Sequence, residues 1–348
     1  MSMIIVKPGL LTTVQDLGRY GSQHFGVIVG GAMDAFALRI ANLLVGNDEN
    51  AAGLEITMLG PEIYFAEAAL VSVCGGDLSP RLNDRELPLW KTIVAPEGSV
   101  LRFGPARLGC RAYLAIAGGI DAPAKMNSRS TYLRAGIGGW EGRALQKGDR
   151  LPVGAPREAG KKLASLLADE AQADGVAFSR WSVAPDLLPA YTPNPEVRTV
   201  AGQELALFEE ESAERFFAGA FKVRTDSDRM GYRLSGEGDA LRLREKRELV
   251  SSAVTFGTVQ VPPDGQPIVL MADRQTTGGY PKIAQVASAD LPLLAQTNLG
   301  GTVRFRPVSL QEAQRLYLVR ENGIRTLRSG LERMQASGNG RVQADGKR

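Results

Sequence analysis

The chain has a single histidine, His24, and two cysteines, Cys74 and Cys110, in 348 residues. A Ser-His-Asp or Cys-His arrangement, or a histidine-rich metal site, would have to be built on that one imidazole, and no cysteine cluster replaces it. A resident metal and most familiar hydrolase chemistry are thereby excluded as expectations. What is left is chemistry by carboxylates, amides, hydroxyls, arginines and backbone N–H groups. Both cysteines lie in or beside apolar segments (ALVSVCGG, RLGCRAYLAIA), the setting of buried thiols, and a cytoplasmic location fits. No segment approaches the ~20 apolar residues of a membrane span. The opening MSMIIVKPGLLTTVQD has neither the apolar length nor the cleavage pattern expected of a secretory leader. A charge excess is missing too: 41 basic and 38 acidic residues leave +3, which calls for neither nucleic acid nor a membrane surface as partner.

Turn formers are plentiful, with 40 glycines and 19 prolines, and this favours an all-β, or β-rich, protein with a few helices. The length exceeds that of one hydrophobic core, so two domains are expected. Short strands and turns run from Gly53 to Gly119, in the pattern of a barrel or sandwich, with Glu55 on one of the strands. Asp34 is placed to cap a helix carrying Phe36, Ile40, Leu43 and Leu44, with Gly46 to end it. Four prolines between Pro185 and Pro195 mark a linker. We therefore expect an N-terminal domain over 1–180, a linker over 181–195 and a C-terminal domain over 196–335. The latter ends in a helix opened by a Ser309/Glu312 capping box. A disordered tail is expected over 336–348.

The stretch Gln260 to Ile283, QVPPDGQPIVLMADRQTTGGYPKI, concentrates candidate chemistry. Its apolar run Pro267–Met271 reads as a buried strand that delivers Asp273, Arg274, Gln275, Thr276 and Thr277 to the turn at Gly278-Gly279. A strand fixes position while glycines let backbone approach a ligand. A hairpin whose polar residues satisfy one another has the same pattern, and composition does not separate the two. Gln15, Asp16 and Arg19 form a second polar group, and Ser227, Asp228, Arg229, Tyr232 and Arg233 a third. Ser128, Arg129, Ser130 and Thr131 precede a glycine arc, Gly136, Gly138, Gly139 and Gly142. That arc misses the dinucleotide fingerprint by one position and is not a phosphate loop, although its hydroxyls, Arg129 and N–H groups are suited to an anion. Ala124-Lys125-Met126 lacks the features of a biotin-attachment site.

The blocks PGLLTTVQDLGRYG, GGAMD, ANLLVGN, LEIT, RAYLAIAGGIDAP, SRST, SDRMGYRL and PIVLMADRQTTGGYPKIA, in this order, resemble the KipA-like family over residues 3 to about 310. That family includes the C subunit of the prokaryotic 5-oxoprolinase and is related to the biotin-dependent carboxyltransferase region of urea carboxylase and to allophanate hydrolase subunit 2. The chain departs from the family's pattern in carrying Asn127 where a glycine often precedes SRST. The resemblance implies two cyclophilin-like β-barrel domains across a cleft, floored by Gln260–Ile283 and faced by Gln15–Arg19 with Ser128–Ser130.

It further implies a KipI-like, B-type partner and an A-type lactam-opening subunit, with ATP used in the complex to open 5-oxoproline to glutamate. A second implied reading is carboxyl transfer from biotin carried by a separate protein, and a third is a non-enzymatic antagonist of a KipI-type kinase inhibitor. Both enzymatic readings need donors for a developing oxyanion and a carboxylate for a proton. Gln275, Thr276, Thr277 and the N–H groups of Gly278 and Gly279 are the candidate donors, and Asp273 or Asp16 the candidate base. Gln15, Arg19, Ser128, Arg129, Ser130, Arg229, Arg233, Gln260, Tyr280 and Lys282 are candidate substrate contacts.

Overall fold

A computed structural model describes residues 2–170, 174–245 and 247–337. The chain forms two compact units that are not cut at one point. The first comprises the residues up to Gly18, Ala35–Leu188 and those from Glu321 on; the second comprises Arg19–Asp34 and Pro189–Arg320.

In the first unit, strands β1 (Ser2–Lys7), β2 (Leu11–Gln15), β3 (Gly53–Thr57), β4 (Glu62–Phe65), β5 (Ala69–Asp77) and β6 (Arg81–Leu82) are followed by β7 (Arg85–Glu86), β8 (Ile93–Ala95), β9 (Val100–Arg102), β10 (Leu108–Ile116), β11 (Arg150–Pro152) and β12 (Ala177–Phe178). They make two six-stranded sheets, ordered β11-β1-β4-β9-β6-β7 and β12-β8-β5-β10-β3-β2. Alternation sets the faces. Met3 and Ile5 of β1 and Ile63 of β4 point into the same core as Leu54 of β3, Val71 of β5 and Leu114 of β10, all almost wholly buried. Cys74 and Cys110 are buried free thiols. Glu55 is buried on β3 and accepts a hydrogen bond from the Tyr113 hydroxyl at 2.8 Å, the partner a carboxylate on an inner strand requires.

Helix α1 (Ala35–Leu44) starts directly after Asp34 and buries Phe36, Leu38, Ile40 and Leu44 against β5 and β10. Behind it the Gly46 N–H closes on the Leu43 carbonyl at 3.1 Å with the left-handed backbone expected there. Helix α2 spans Glu158–Leu167 and buries Leu163 and Leu167.

The second unit contains β13 (Glu196–Ala201), α3 (Glu210–Ala218), β14 (Ala220–Val223), β15 (Gly231–Gly236), β16 (Ser252–Ala253), β17 (Thr258–Gln260), β18 (Ile268–Leu270), β19 (Thr277–Gly278), β20 (Lys282–Val286), α4 (Leu291–Ala295) and β21 (Thr302–Pro307). Seven of these strands close a barrel in the order β13-β20-β17-β18-β15-β14-β21, so no ladder edge is left open. Closure comes from parallel pairing of β13 with β21, from Glu196 opposite Arg304 to Thr199 opposite Pro307. Phe216 of α3 stacks on Phe305 with centroids 4.7 Å apart, and Phe221 packs against both. β16 and β19 form a separate two-stranded ribbon outside the barrel.

Helix α5 spans Leu310–Ser337. Half of the expected capping box forms: Ser309 Oγ accepts from the Glu312 N–H at 3.1 Å, while the Glu312 carboxylate turns to Arg315 at 2.8 Å. Within the first unit, Glu321 receives both Nη groups of Arg39 at 2.6 and 2.7 Å, which fastens this part of α5 to α1. The tail expected from residue 336 lies, beyond Ser337, outside the described residues. Among the described residues no helix is long and apolar enough to cross a membrane.

Candidate functional site

Two polar centres emerge, one in each unit. In the first, β2 ends at Gln15, paired with Gly53 of β3, and Asp16 is the first residue released from the sheet. The Asp16 carboxylate accepts four hydrogen bonds. Oδ1 receives the hydroxyls of Ser128 (2.7 Å) and Ser130 (2.6 Å) and the Gly18 N–H (2.8 Å); Oδ2 receives the Arg129 N–H (2.5 Å). The Asp16 N–H in turn donates to Ser130 Oγ at 2.9 Å.

The serine-rich segment does hold an anion, then, and that anion is the chain's own carboxylate. It is presented by a tight turn, Lys125–Ser128, whose central residues Met126 and Asn127 both have positive φ, at 52° and 60°. Asparagine tolerates that conformation far better than most side chains. The Arg129 guanidinium points elsewhere, with Nε on the Ala122 carbonyl at 2.8 Å. Gln15 is fully buried; its Nε2 donates to Thr13 Oγ1 and the Thr131 carbonyl at 3.1 and 3.2 Å, and its Oε1 has no partner among the described residues. The glycine arc packs locally, with the Gly139 N–H on the Arg129 carbonyl at 3.0 Å.

The second centre lies where β18 ends. Strand pairing with β15 and β17 buries Val269 and Leu270 and carries the chain out through Met271 to Asp273. Arg229, just before β15, grips Asp273 side-on, Nε to Oδ2 at 2.9 Å and Nη2 to Oδ1 at 3.0 Å, and Nη2 also reaches the Gly31 carbonyl at 2.6 Å. Both side chains are more than nine-tenths buried, so the pair is geometrically strong and heavily desolvated. The neighbouring Gly30 has φ +65°, and a β-carbon there would fall 3.3 Å from Arg19 Nη1 and 3.6 Å from Asp273 Oδ1. Arg19 is fully buried and belongs with this unit, whereas Gln15 and Asp16, read beside it in sequence, belong to the first. Asp34, also buried, accepts from the Tyr191 hydroxyl at 2.6 Å and from Gln296 Nε2 at 3.0 Å.

Past Asp273 the chain emerges. Gln275 and Thr277 are exposed, Thr276 is half-buried, and β19 pairs Thr277 and Gly278 with Ala253 and Ser252 of β16. The Gln260 amide, buried on β17, lies against Gly278, where any β-carbon would meet its Nε2 at 2.5 Å; the same Nε2 donates to the Tyr280 carbonyl at 3.4 Å. Tyr280 is half exposed beside a cavity of about 840 Å³ whose walls include Gly279, Pro281, Leu241, Leu243 and Arg242.

Lys282, a candidate substrate contact, is engaged within its own unit. It is buried, with Nζ 3.7 Å from Glu204 and its N–H donating to the same carboxylate at 3.1 Å. Arg233 stands apart, exposed and 3.8 Å from Asp226. Sequence reasoning gave no role to three groups: Glu204, the Gly30-Gly31 backbone, and Arg274, which it placed at the strand end. Only Arg274 carried a usable signal, as a cation set between two candidate residues at a strand end. Among the described residues no group of three or more His, Cys, Asp or Glu side chains is arranged to hold a metal.

These features define the class: a β-rich protein of two units, one a closed seven-stranded barrel, with polar groups set at strand ends. The chain belongs to the family described as carboxyltransferase domain, subdomains A and B, which matches residues 25–307. It is 41% identical to the 5-oxoprolinase C subunit of Escherichia coli over 309 residues, covering 89% of this chain and 92% of that protein. It is 40% identical to the 5-oxoprolinase C subunit of Haemophilus influenzae, covering 87% and 90% respectively. Among solved structures, urea carboxylase of Kluyveromyces lactis superposes with a TM-score of 0.82 at 30% identity, over 94% of this chain but 29% of the larger protein.

Proposed function

We propose that this chain is the C subunit of a cytoplasmic, ATP-dependent 5-oxoprolinase, which opens the lactam of 5-oxoproline to glutamate together with an A-type subunit and a KipI-like, B-type subunit. The observation that carries the reading is the 41% identity to a 5-oxoprolinase C subunit over nine-tenths of that protein's length. A lactam is a poor electrophile, and ATP supplies activation of its oxygen. The groups of this chain best suited to phosphate, Ser128, Ser130 and the Arg129 N–H, are committed to Asp16, so nucleotide binding is assigned to the partners.

This chain's part is to position and to stabilise charge. Gln275, Thr276, Thr277 and the N–H groups of Gly278 and Gly279 supply donors for a developing oxyanion at the end of a rigid strand. Asp273 and Asp16 have their oxygens engaged by Arg229 and by the serine turn, and we assign both to holding geometry rather than to taking a proton. Gln260 braces the Gly278–Tyr280 backbone through the Tyr280 carbonyl, and Lys282 is tied to Glu204.

Mixing the chain with its A-type and B-type partners and following glutamate release is the test. ATP-dependent turnover is expected, and Gln275→Ala is expected to lower it about 100-fold with assembly intact. An assembled complex that releases no glutamate ends this reading. The fit to urea carboxylase supports a second one, carboxyl transfer from a biotinylated carrier to an acceptor nitrogen. Transfer of labelled carboxylate from such a carrier, without lactam opening, would select it.

A further inference from the structure

We propose that Arg274 anchors the carboxylate of the substrate through the side-on edge of its guanidinium. The inference rests on the 5-oxoprolinase reading for the identity of the ligand and on the second unit's geometry for the residue. The only side-chain hydrogen bonds of Arg274 among the described residues are two long ones from Nη1, to the Met271 and Ala272 carbonyls at 3.5 Å. Its Nε is shielded from water and has no hydrogen-bond partner among the described residues. Nε and Nη2 together form the fork that matches the two oxygens of a carboxylate.

One residue away, the protein shows what that fork does when filled. Arg229 uses the same two nitrogens to hold Asp273 at 2.9 and 3.0 Å. Asp273 is thereby engaged by Arg229, and among the described residues Arg274 is half-buried without an ion-paired carboxylate. Burial pushes its guanidinium below the usual arginine range, partly offset by the Tyr20 hydroxyl and Asp273. A desolvated cation with an idle fork costs stability, and an anionic ligand recovers that cost when it docks. The position suits the chemistry as well, since Arg274 directly precedes the Gln275–Gly279 donors. A lactam held by its carboxylate at Arg274 is anchored beside the groups assigned to its ring oxygen.

Two measurements decide it. Phenylglyoxal, which modifies arginine, is applied to the wild-type complex with 5-oxoproline or with pyrrolidin-2-one, the same lactam without the carboxylate, and modification of Arg274 is read by mass spectrometry. Protection by 5-oxoproline alone is expected; equal labelling in both overturns the proposal. In steady-state kinetics, Arg274→Gln is expected to raise KM for 5-oxoproline about 100-fold with a smaller change in kcat. Arg274→Lys, which keeps the charge but not the fork, is expected to fall between. An unchanged KM in Arg274→Gln overturns it equally. Should the wild-type complex turn over no 5-oxoproline, the functional reading fails by itself, while selective protection still identifies Arg274 as a carboxylate anchor.

Discussion

Asp16 in the first unit and Asp273 in the second are both buried carboxylates, both placed just past a strand, and they are accommodated in opposite ways. Asp16 accepts from four neutral donors, two hydroxyls and two backbone N–H groups. Asp273 is met by a full counter-charge, the side-on guanidinium of Arg229. In the first case the stabilisation is divided among small contributions from a turn and a strand end, and each can be lost separately. In the second much of it is concentrated in one bidentate ion pair, and removing either member takes that partner away from a charge that stays buried. The first arrangement stitches loops together; the second builds an ion-paired platform beside which Arg274 Nε has no partner among the described residues.

The sharpest break of this comparison is Asp273→Asn. It is expected to cost about 3–5 kcal/mol in chemical denaturation and to abolish turnover in the assembled complex. Arg229→Met combined with Asp273→Leu should recover much of the stability and none of the activity. If the single substitution costs under about 1 kcal/mol, typical of an exposed pair, the two carboxylates are not held differently.

Asp16→Asn is expected to cost less, about 2–3 kcal/mol, because it places an amide N–H against donors and surrenders only part of the set. Ser130→Ala should remove about 1–2 kcal/mol of that; a cost equal to that of Asp16→Asn would show that the contributions are not divided.

Gly30→Ala tests the packing around the charged pair. The left-handed backbone and the contact with Arg19 together predict a loss of about 1–2 kcal/mol, visible as a lowered thermal midpoint.

The smallest effect concerns a partly exposed contrast to both carboxylates. The guanidinium of Arg143, followed by the Gln146 N–H, holds the Asp149 carboxyl below the usual carboxylate range against the opposing effect of burial. A folded-state value below the unfolded one gives stability that is full above about pH 4 and is lost as pH falls further, through the folded value. The acid limb of the stability curve should therefore be shallower in Asp149→Asn than in the parent chain.

Local features of the fold were readable in advance because their causes are local. The apolar run Pro267–Met271 is the strand Ile268–Leu270; the Phe36–Leu44 spacing is helix α1; the Ser309 cap opens α5; the two cysteines are buried. In the candidate site, the residue types were legible and their partners were not. Ser128 meets Asp16 across 112 residues, and the Lys282 N–H meets Glu204 across 78. Such contacts depend on strand register and barrel closure, neither of which leaves a mark in a short window of sequence. Lys282 illustrates this: as one letter in GGYPKIA it reads as a surface cation, and only the β17–β20 pairing with the Glu204 turn makes it a buried one.

By itself the sequence determined the chemistry that is possible. One histidine, two thiols in apolar segments and balanced charge point to chemistry by carboxylates, amides, hydroxyls, arginines and backbone N–H groups, and the ordered motifs point to the family. Tertiary structure alone decided which of those groups are spent on the fold and which are left for a ligand. Hydrogen-bond capacity is finite, and burial obliges polar groups to use it. Closing the sheets spent Asp16 on the serine turn and Asp273 on Arg229, and left the fork of Arg274 idle.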